Sequence, residues 1–370
     1  MRIVYIITRT DVIGGAQIHI RDTAAQMVKL GHEAFVLSGL AGEFVNDLTS
    51  KGIIFHEIPH LQQSIDPWND LKAFFALRAL LKKIKPDLVS CHSSKAGLIG
   101  RFASYSLRIP TLFTVHGWSF RVSIMSKLRI WAYVSLEKLA GNFCDCIITV
   151  SDFDYQLGIK YKIINPDKLN IVHNGVMDHE PPLLRIDSRT LPPLRVIMTA
   201  RFEEPKDHIT LIEACRNLPE IELWFIGDGL LEESIKSRVL KYSMQNRVHF
   251  LGRRKDVAAI MTKCDVFALI SDSEGFPRST LEAMRAGLPI IVSDVGGAKE
   301  AIIEGENGFS IQRRDVSALQ QALLFFINNP DRLSSMGVIS RKLFEKKFNF
   351  SIMFQNTYDI YEKILLNHQN

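Results

Sequence analysis

Residues 266–293 read Val266-Phe267-Ala268-Leu269-Ile270-Ser271-Asp272-Ser273-Glu274-Gly275-Phe276-Pro277-Arg278-Ser279-Thr280-Leu281-Glu282-Ala283-Met284-Arg285-Ala286-Gly287-Leu288-Pro289-Ile290-Ile291-Val292-Ser293. A short apolar run at 266–270 gives way to a polar loop rich in Gly and Pro, then a helix start, then a second apolar run at 289–293. Two buried strands joined by a helix form a crossover unit, and a series of such units builds a parallel sheet.

The same rhythm extends outward in both directions. The upstream half offers candidate strands at 3–8, 33–38, 53–58, 88–92, 111–115, 146–150 and 170–173, with helical patterns at 70–84 and 127–140. Residues 178–195 contain Pro181, Pro182, Pro192 and Pro193 and read as a linker. A second series follows at 195–199, 222–226, 248–251, 266–270 and 289–293. The last segment, 349–370, is an amphipathic helix expected to pack back across the domain junction. A chain of 370 residues exceeds the roughly 250–300 that one core supports. The expected architecture is therefore α/β, with two Rossmann-like, doubly wound parallel-sheet domains facing across a cleft. The first spans 1–178 plus the helix at about 350–370, and the second spans 179–349. Ligands of such sheets bind beyond the carboxyl ends of the strands, so function belongs in the loops after strands.

Composition narrows the classes. Hydrophobic content of 46% and charged content of 23% are ordinary for a globular chain. A net charge of +5 is too small to argue for nucleic acid and suits an anionic ligand or an anionic membrane surface. Five cysteines without zinc-type spacing read as reduced thiols, not as a metal site. Residues 1–7 read as a strand, too short for a signal peptide, and no run reaches the roughly 20 apolar residues of a membrane span. A cytoplasmic protein is the expectation.

Several loop residues can carry chemistry. Gly14-Gly15 follows the first strand and opens a helix, which suits backbone approach to a phosphate or simply a tight turn. The Gly-x-Gly-x-x-Gly dinucleotide fingerprint is missing there. His116 ends a strand, where it could meet a sugar hydroxyl or sit satisfied by backbone. Arg201 and Lys206 flank a helix start capped by Asp207, an arrangement that suits a diphosphate. Gly227-Asp228-Gly229 turns after a buried strand, and Arg253 belongs to a basic loop that is either a wall for a base or a solvated charge run. Glu274 lies in a Gly/Phe/Pro loop where no local structural duty claims it. Glu282 could accept from hydroxyls, or Ser279-x-x-Glu282 could be a capping box. Asp152-x-Asp154 has a spacing used for metals, but Ser151 before it favours capping. The segment 121–140 mixes Arg121, Lys127, Arg129 and Lys138 with Ile124, Met125, Leu128, Ile130, Trp131, Val134 and Leu136. It suits an anionic membrane surface, or a core helix with its charges in water.

Taken together, these pieces resemble the retaining glycosyltransferases of family 4, which have the two-domain GT-B fold. The resemblance covers nearly the whole chain and is most specific at 271–300, which holds a Glu-x7-Glu pattern. It is supported by Gly14-Gly15, His116-Gly117, Asn174-Gly175-Val176, Arg201 with Lys206, Gly227-Asp228-Gly229 and Phe250-Leu251-Gly252. The resemblance implies a nucleotide-sugar donor, UDP-linked in much of the family, and a glycan or lipid-linked acceptor. It implies surface-polysaccharide assembly, with peripheral contact at the inner face of a membrane, and no metal or other cofactor. Glu282 would hold the donor ribose and Glu274 the transferred sugar. Arg201 and Lys206 would bind the diphosphate, helped by backbone at Gly15, Arg278 and Ser279. His116 would meet a donor-sugar hydroxyl. Gln17 departs from the acid common after Gly-Gly-Ala. Two other readings share the pattern: a sugar-nucleotide epimerase of similar shape, and a non-catalytic sugar-nucleotide-binding subunit.

Overall fold

The computed structural model describes residues 1–121, 126–185 and 192–369. The chain divides into two compact units, Met1–His173 with Phe354–Asn370, and Asn174–Met353.

In the first unit the strands are β1 (Arg2–Ile7), β2 (Glu33–Ser38), β3 (Ile54–Glu57), β4 (Leu88–His92), β5 (Thr111–Val115), β6 (Cys146–Thr149) and β7 (Leu169–Ile171). They form one seven-stranded sheet in the order β3-β2-β1-β4-β5-β6-β7. Every neighbouring pair is parallel. Strands β4, β5 and β6 are buried along their whole length, as expected of a parallel sheet covered on both faces. Helix Pro67–Ile84 shows how local chemistry sets an element. Asp66 accepts from the backbone of Trp68 and Asn69, Pro67 occupies the first helical position, and Lys82 and Lys83 sit in the last turn. Ala73, Leu77, Leu81 and Ile84, spaced along one face, pack with Val4, Val89 and Phe113 in the core.

In the second unit the strands are β8 (Leu194–Thr199), β9 (Ile221–Ile226), β10 (Val248–Phe250), β11 (Val266–Leu269), β12 (Ile290–Ser293) and β13 (Gly308–Ile311). Their order is β10-β9-β8-β11-β12-β13, again parallel throughout. Strand β13 is not among the sequence-based strands. It is an edge strand of four residues opened by a glycine, and half-buried Phe309 and Ser310 weaken its apolar signal.

In each sheet the chain order reverses once, at β1/β4 and at β8/β11. Strands on either side of such a switch point send their following helices to opposite faces, which leaves a crevice at the carboxyl edge. The candidate residues collect at these two places. The described part of the supposed linker is not free chain. Arg185 donates its backbone N–H to Ala286 O at 2.8 Å and pairs with Asp265, while Asp178 is held by Arg341. Residues 186–191 lie outside the described residues.

Candidate functional site

At the β8/β11 switch point, the loop after β8 carries Arg201 and Lys206 and the loop after β11 carries Glu274. The two loops are stitched together by backbone. Asp207 N–H donates to Ile270 O at 3.0 Å, Asp272 N–H to Pro205 O at 2.8 Å, and Ser271 Oγ to Pro205 O at 3.0 Å. On this base the Lys206 ammonium donates to Glu274 Oε1 as an ion pair. Two residues far apart in sequence thus meet, with Glu274 buried at 7% exposure. Burying an acid is tolerable only with a partner of this kind. Arg201 instead stands half exposed and pairs with Glu203 at 3.1 Å. Asp207 caps helix His208–Cys215, as its position predicts, by accepting from Thr210 N–H at 3.0 Å.

Neighbouring loops complete the rim. Gly227 has φ +147, and a Cβ there would lie 2.0 Å from Ala200 O, so only glycine lets the turn after β9 run against the Arg201 loop. The Gly227 N–H donates to Gly252 O at 3.0 Å, which brings in the loop after β10, where Arg253 is exposed. The Glu274 loop is shaped by three groups. Asn174 Nδ2 donates to Phe276 O at 2.7 Å and Arg278 Nη1 to Gly175 O at 2.8 Å. Gly296, with φ +57, sits where a Cβ would be 1.8 Å from Glu274 O. The Arg278 side chain is therefore a structural clip, while its backbone opens helix Arg278–Arg285.

That helix corrects one reading. Its N-cap is Pro277 and no side chain caps it, so Ser279 lies inside the first turn and the Ser279-x-x-Glu282 capping box does not form. Proline, with φ −72, fits the flanking extended position and starts the helix two residues before the box would need. Glu282 is half-buried on this helix and Ser279 is half-buried in its first turn.

At the β1/β4 switch point three histidines converge from three elements. They are His19 on helix Gly15–Lys29, His92 at the end of β4, and His116 after β5. His92 Nδ1 and His116 Nε2 lie 3.0 Å apart, and His92 Nε2 lies 3.0 Å from Ser90 Oγ. The His19 ring stands edge-on to His116 with centroids 5.0 Å apart. Burial, then the proximity of His116 and His19, holds the protonation of His92 well below the ordinary imidazole value. Among the described residues these three imidazoles are the only group whose ligand atoms could share a cation. They could do so only by giving up the His92–His116 hydrogen bond. His19 and His92 drew no notice in the sequence, because a lone histidine in an apolar run carries no spacing signal. Gly15 is exposed at the start of its helix, and Gln17 explains its own departure from an acid. Its amide oxygen accepts from Gly14 N–H at 3.2 Å and its Nε2 donates to Arg9 O at 3.1 Å, so it caps the helix.

Asp154 is a capping and packing residue. It takes part in the Ser151 cap, accepts from Trp118 N–H at 3.2 Å, and lies 3.7 Å from Arg121. The five cysteines are buried and none is joined in a disulfide among the described residues.

Helix Lys127–Gly141 buries Val134, Glu137 and Ala140, with Glu137 in a buried ion pair with Arg101. Its outer face shows Leu128 at 74% and Trp131 at 67% exposure, with Leu136 and Leu139 also exposed, beside Lys127, Arg129 and Lys138. The helix therefore packs one face in the core and leaves apolar side chains as well as charges on the other. Ile124 and Met125 lie outside the described residues. No helix among the described residues is long and apolar enough to cross a membrane.

Comparison with known proteins fits this geometry. Residues 13–179 match the family model described as Glycosyltransferase Family 4, and residues 187–343 match Glycosyl transferases group 1. An Escherichia coli protein named UDP-Gal:alpha-D-GlcNAc-diphosphoundecaprenol alpha-1,3-galactosyltransferase is 28% identical over 326 residues, 84% of each chain. A Campylobacter jejuni N,N'-diacetylbacillosaminyl-diphospho-undecaprenol alpha-1,3-N-acetylgalactosaminyltransferase is 26% identical over 342 residues, 87% of this chain and 88% of that one. The crystal structure of Anabaena HepE with UDP-glucose superposes with a TM-score of 0.83 at 20% identity, covering 98% of this chain and 100% of that one. At that identity the likeness shows the fold alone, which is GT-B.

Proposed function

The chain belongs to the family 4, group 1 glycosyltransferases, and on that premise we propose that it moves a sugar from a nucleotide-diphosphate donor to a glycan or lipid-linked acceptor with retention of configuration. The observation that carries this reading is the Lys206–Glu274 pair beside Arg201 at the β8/β11 switch point. Glycosyl transfer leaves negative charge on the departing diphosphate. A cation pre-positioned by a buried carboxylate, with a second cation on the same loop and helix-start amides at Arg278 and Ser279, would stabilise that charge most strongly as it develops. Glu274 would then accept from hydroxyls of the transferred sugar, and Glu282 from the ribose. Gly227 and Arg253 would border the donor, and Gly15 and His116 would contact it on the family's pattern. Because the protein's own cations answer the diphosphate charge, the reading requires no metal.

UDP-sugar is the donor class we favour, since the E. coli relative is named for UDP-Gal and HepE was crystallised with UDP-glucose. The names of both bacterial relatives include diphosphoundecaprenol-type acceptors. The exposed Leu128/Trp131 face with its cations fits work on a lipid-linked glycan at the cytoplasmic membrane face, in surface-polysaccharide assembly.

The test is a screen of nucleotide sugars by thermal stabilisation, followed by transfer to a prenyl-diphosphate glycan with and without chelator. A donor at 100 times its Kd should add about 2.7 kcal/mol of stability. Arg201→Ala should fold normally, because an exposed pair contributes at most about 1 kcal/mol. It should nonetheless lose about 10²-fold in turnover. Full activity in that variant would discard the arginine's role. Conversion of donor in the absence of acceptor would favour an epimerase instead.

A further inference from the structure

Helix Pro67–Ile84 carries apolar side chains on two opposite sides. Ala73, Leu77, Leu81 and Ile84 line its core side. At 3.6 residues per turn the opposite side holds Trp68, Leu71, Lys72, Phe75, Ala79 and Lys82, all exposed. Trp68, Leu71 and Phe75 recur at helical spacing, so their side chains adjoin in one strip, and exposed Ile65 precedes it. Trp68 is 76% and Phe75 59% exposed, so the core does not require them. Single exposed apolar side chains are ordinary, whereas a contiguous strip of this kind marks a contact surface. Its charges have one sign. Lys72 flanks the strip, and Lys82 and Lys83 continue it about 20 Å along the axis from Trp68. None of the three pairs with a carboxylate among the described residues, and the nearby acids are engaged elsewhere: Asp66 caps the helix and Asp70 is held by Lys95.

We propose that this strip is a contact for an anionic lipid bilayer, entered Trp68 end first, with the lysine end among the headgroups. Lysine is depleted from protein–protein interfaces, whereas a tryptophan with uncompensated lysines on the same face suits the boundary between acyl chains and anionic headgroups. The strip has a companion. Arg78 Nε donates to Ser106 Oγ at 3.0 Å, which ties this helix to the end of helix Ser94–Tyr105, and the Arg101–Glu137 pair ties that helix to Lys127–Gly141. The three helices cover one core and each follows a strand of the parallel sheet, so all three start at its carboxyl edge. Trp68 and Leu71 on the first, and Leu128 and Trp131 on the third, thus lie in the first two turns at the same edge. One weak anchor holds a bilayer only marginally, and stable attachment takes two. The inference rests on the membrane contact proposed for helix Lys127–Gly141 and supplies its second anchor, which places the carboxyl edge of the first sheet, with Gly15 and His116, nearest the lipid.

The test is flotation and titration of the full chain with vesicles of phosphatidylglycerol and phosphatidylcholine in equal parts at low salt. Trp68→Ser with Phe75→Ser should weaken partitioning at least about tenfold and so abolish flotation. Lys82→Gln with Lys83→Gln should weaken it about fivefold per charge, a difference that high salt removes. Melting temperatures should stay at the wild-type value in both, since all four side chains are exposed. In a Trp131→Phe background, brominated lipid should quench a fluorescence that Trp68→Phe then removes. Wild-type partitioning by both double variants, alongside lost flotation in Leu128→Ser with Trp131→Ser, would overturn this inference and leave the contact of the other helix standing. A wild-type chain that does not float would overturn both. Concentration-dependent self-association that Trp68→Ser with Phe75→Ser abolishes would assign the strip to a second copy of the chain and overturn the lipid reading.

Discussion

Replacing Lys206 with methionine keeps an unbranched stem of similar volume and removes the ammonium. Glu274, 7% exposed, then loses its ion partner. An unsatisfied buried acceptor costs about 1–3 kcal/mol. The lysine side chain is 21% exposed, so water reaches the pair and the lower part of that range applies, about 1–2 kcal/mol. Turnover should respond far more. A missing charge-stabilising donor costs about 10²–10³ in kcat, equivalent to roughly 2.7–4 kcal/mol. Adding Glu274→Gln to Lys206→Met removes the stranded charge and should recover most of the lost stability without recovering turnover. Urea unfolding and single-turnover transfer at 25 °C, where all variants stay folded, separate the two effects. The reasoning fails if folded Lys206→Met keeps more than about a tenth of wild-type turnover. It fails equally if the double variant regains activity, since Lys206 would then do no more than neutralise Glu274.

Burial, then Lys206, pushes His208 down to about 3. A depressed histidine keeps its full stabilising effect above the unfolded value of 6.5 and loses it as pH falls toward 3, so between pH 7.5 and pH 5 it should cost about 2 kcal/mol. His208 stacks on Phe202 at 4.3 Å, so His208→Phe should fit there and flatten that pH slope in urea unfolding; an unchanged slope would assign the acid lability elsewhere. Gly296→Ala places a Cβ 1.8 Å from Glu274 O and should cost at least about 2 kcal/mol and most turnover, whereas a wild-type melting temperature would show the loop yields freely. The pair Leu128→Ser and Trp131→Ser should leave turnover on a water-soluble acceptor intact and abolish flotation with anionic vesicles; equal flotation with wild type would remove that face from membrane contact.

What the linear chain determined is the pattern of layers and the loops that matter. Apolar runs of strand length separated by helical periodicity report burial on both faces of a parallel sheet, and that information is local. Strands β2, β4 and β5 accordingly begin and end where the residues predict. Arg201, Lys206, Glu274 and His116 were legible as candidates for a related reason: each sits in a loop after a strand, at the carboxyl edge of its sheet. Tertiary structure alone decided how those loops close on one another. Lys206 finds Glu274 because β8 and β11 are neighbours across the switch point, a pairing with no counterpart in sequence separation. His19 and His92 join His116 for the same reason at β1, β4 and β5. Glycines 227 and 296 become indispensable only when a distant carbonyl approaches within about a bond's reach. Even the Ser279-x-x-Glu282 box, persuasive as text, dissolves when Pro277 starts the helix two residues early. Secondary structure follows from near neighbours along the chain, whereas a site is made of contacts between residues that only the fold brings together.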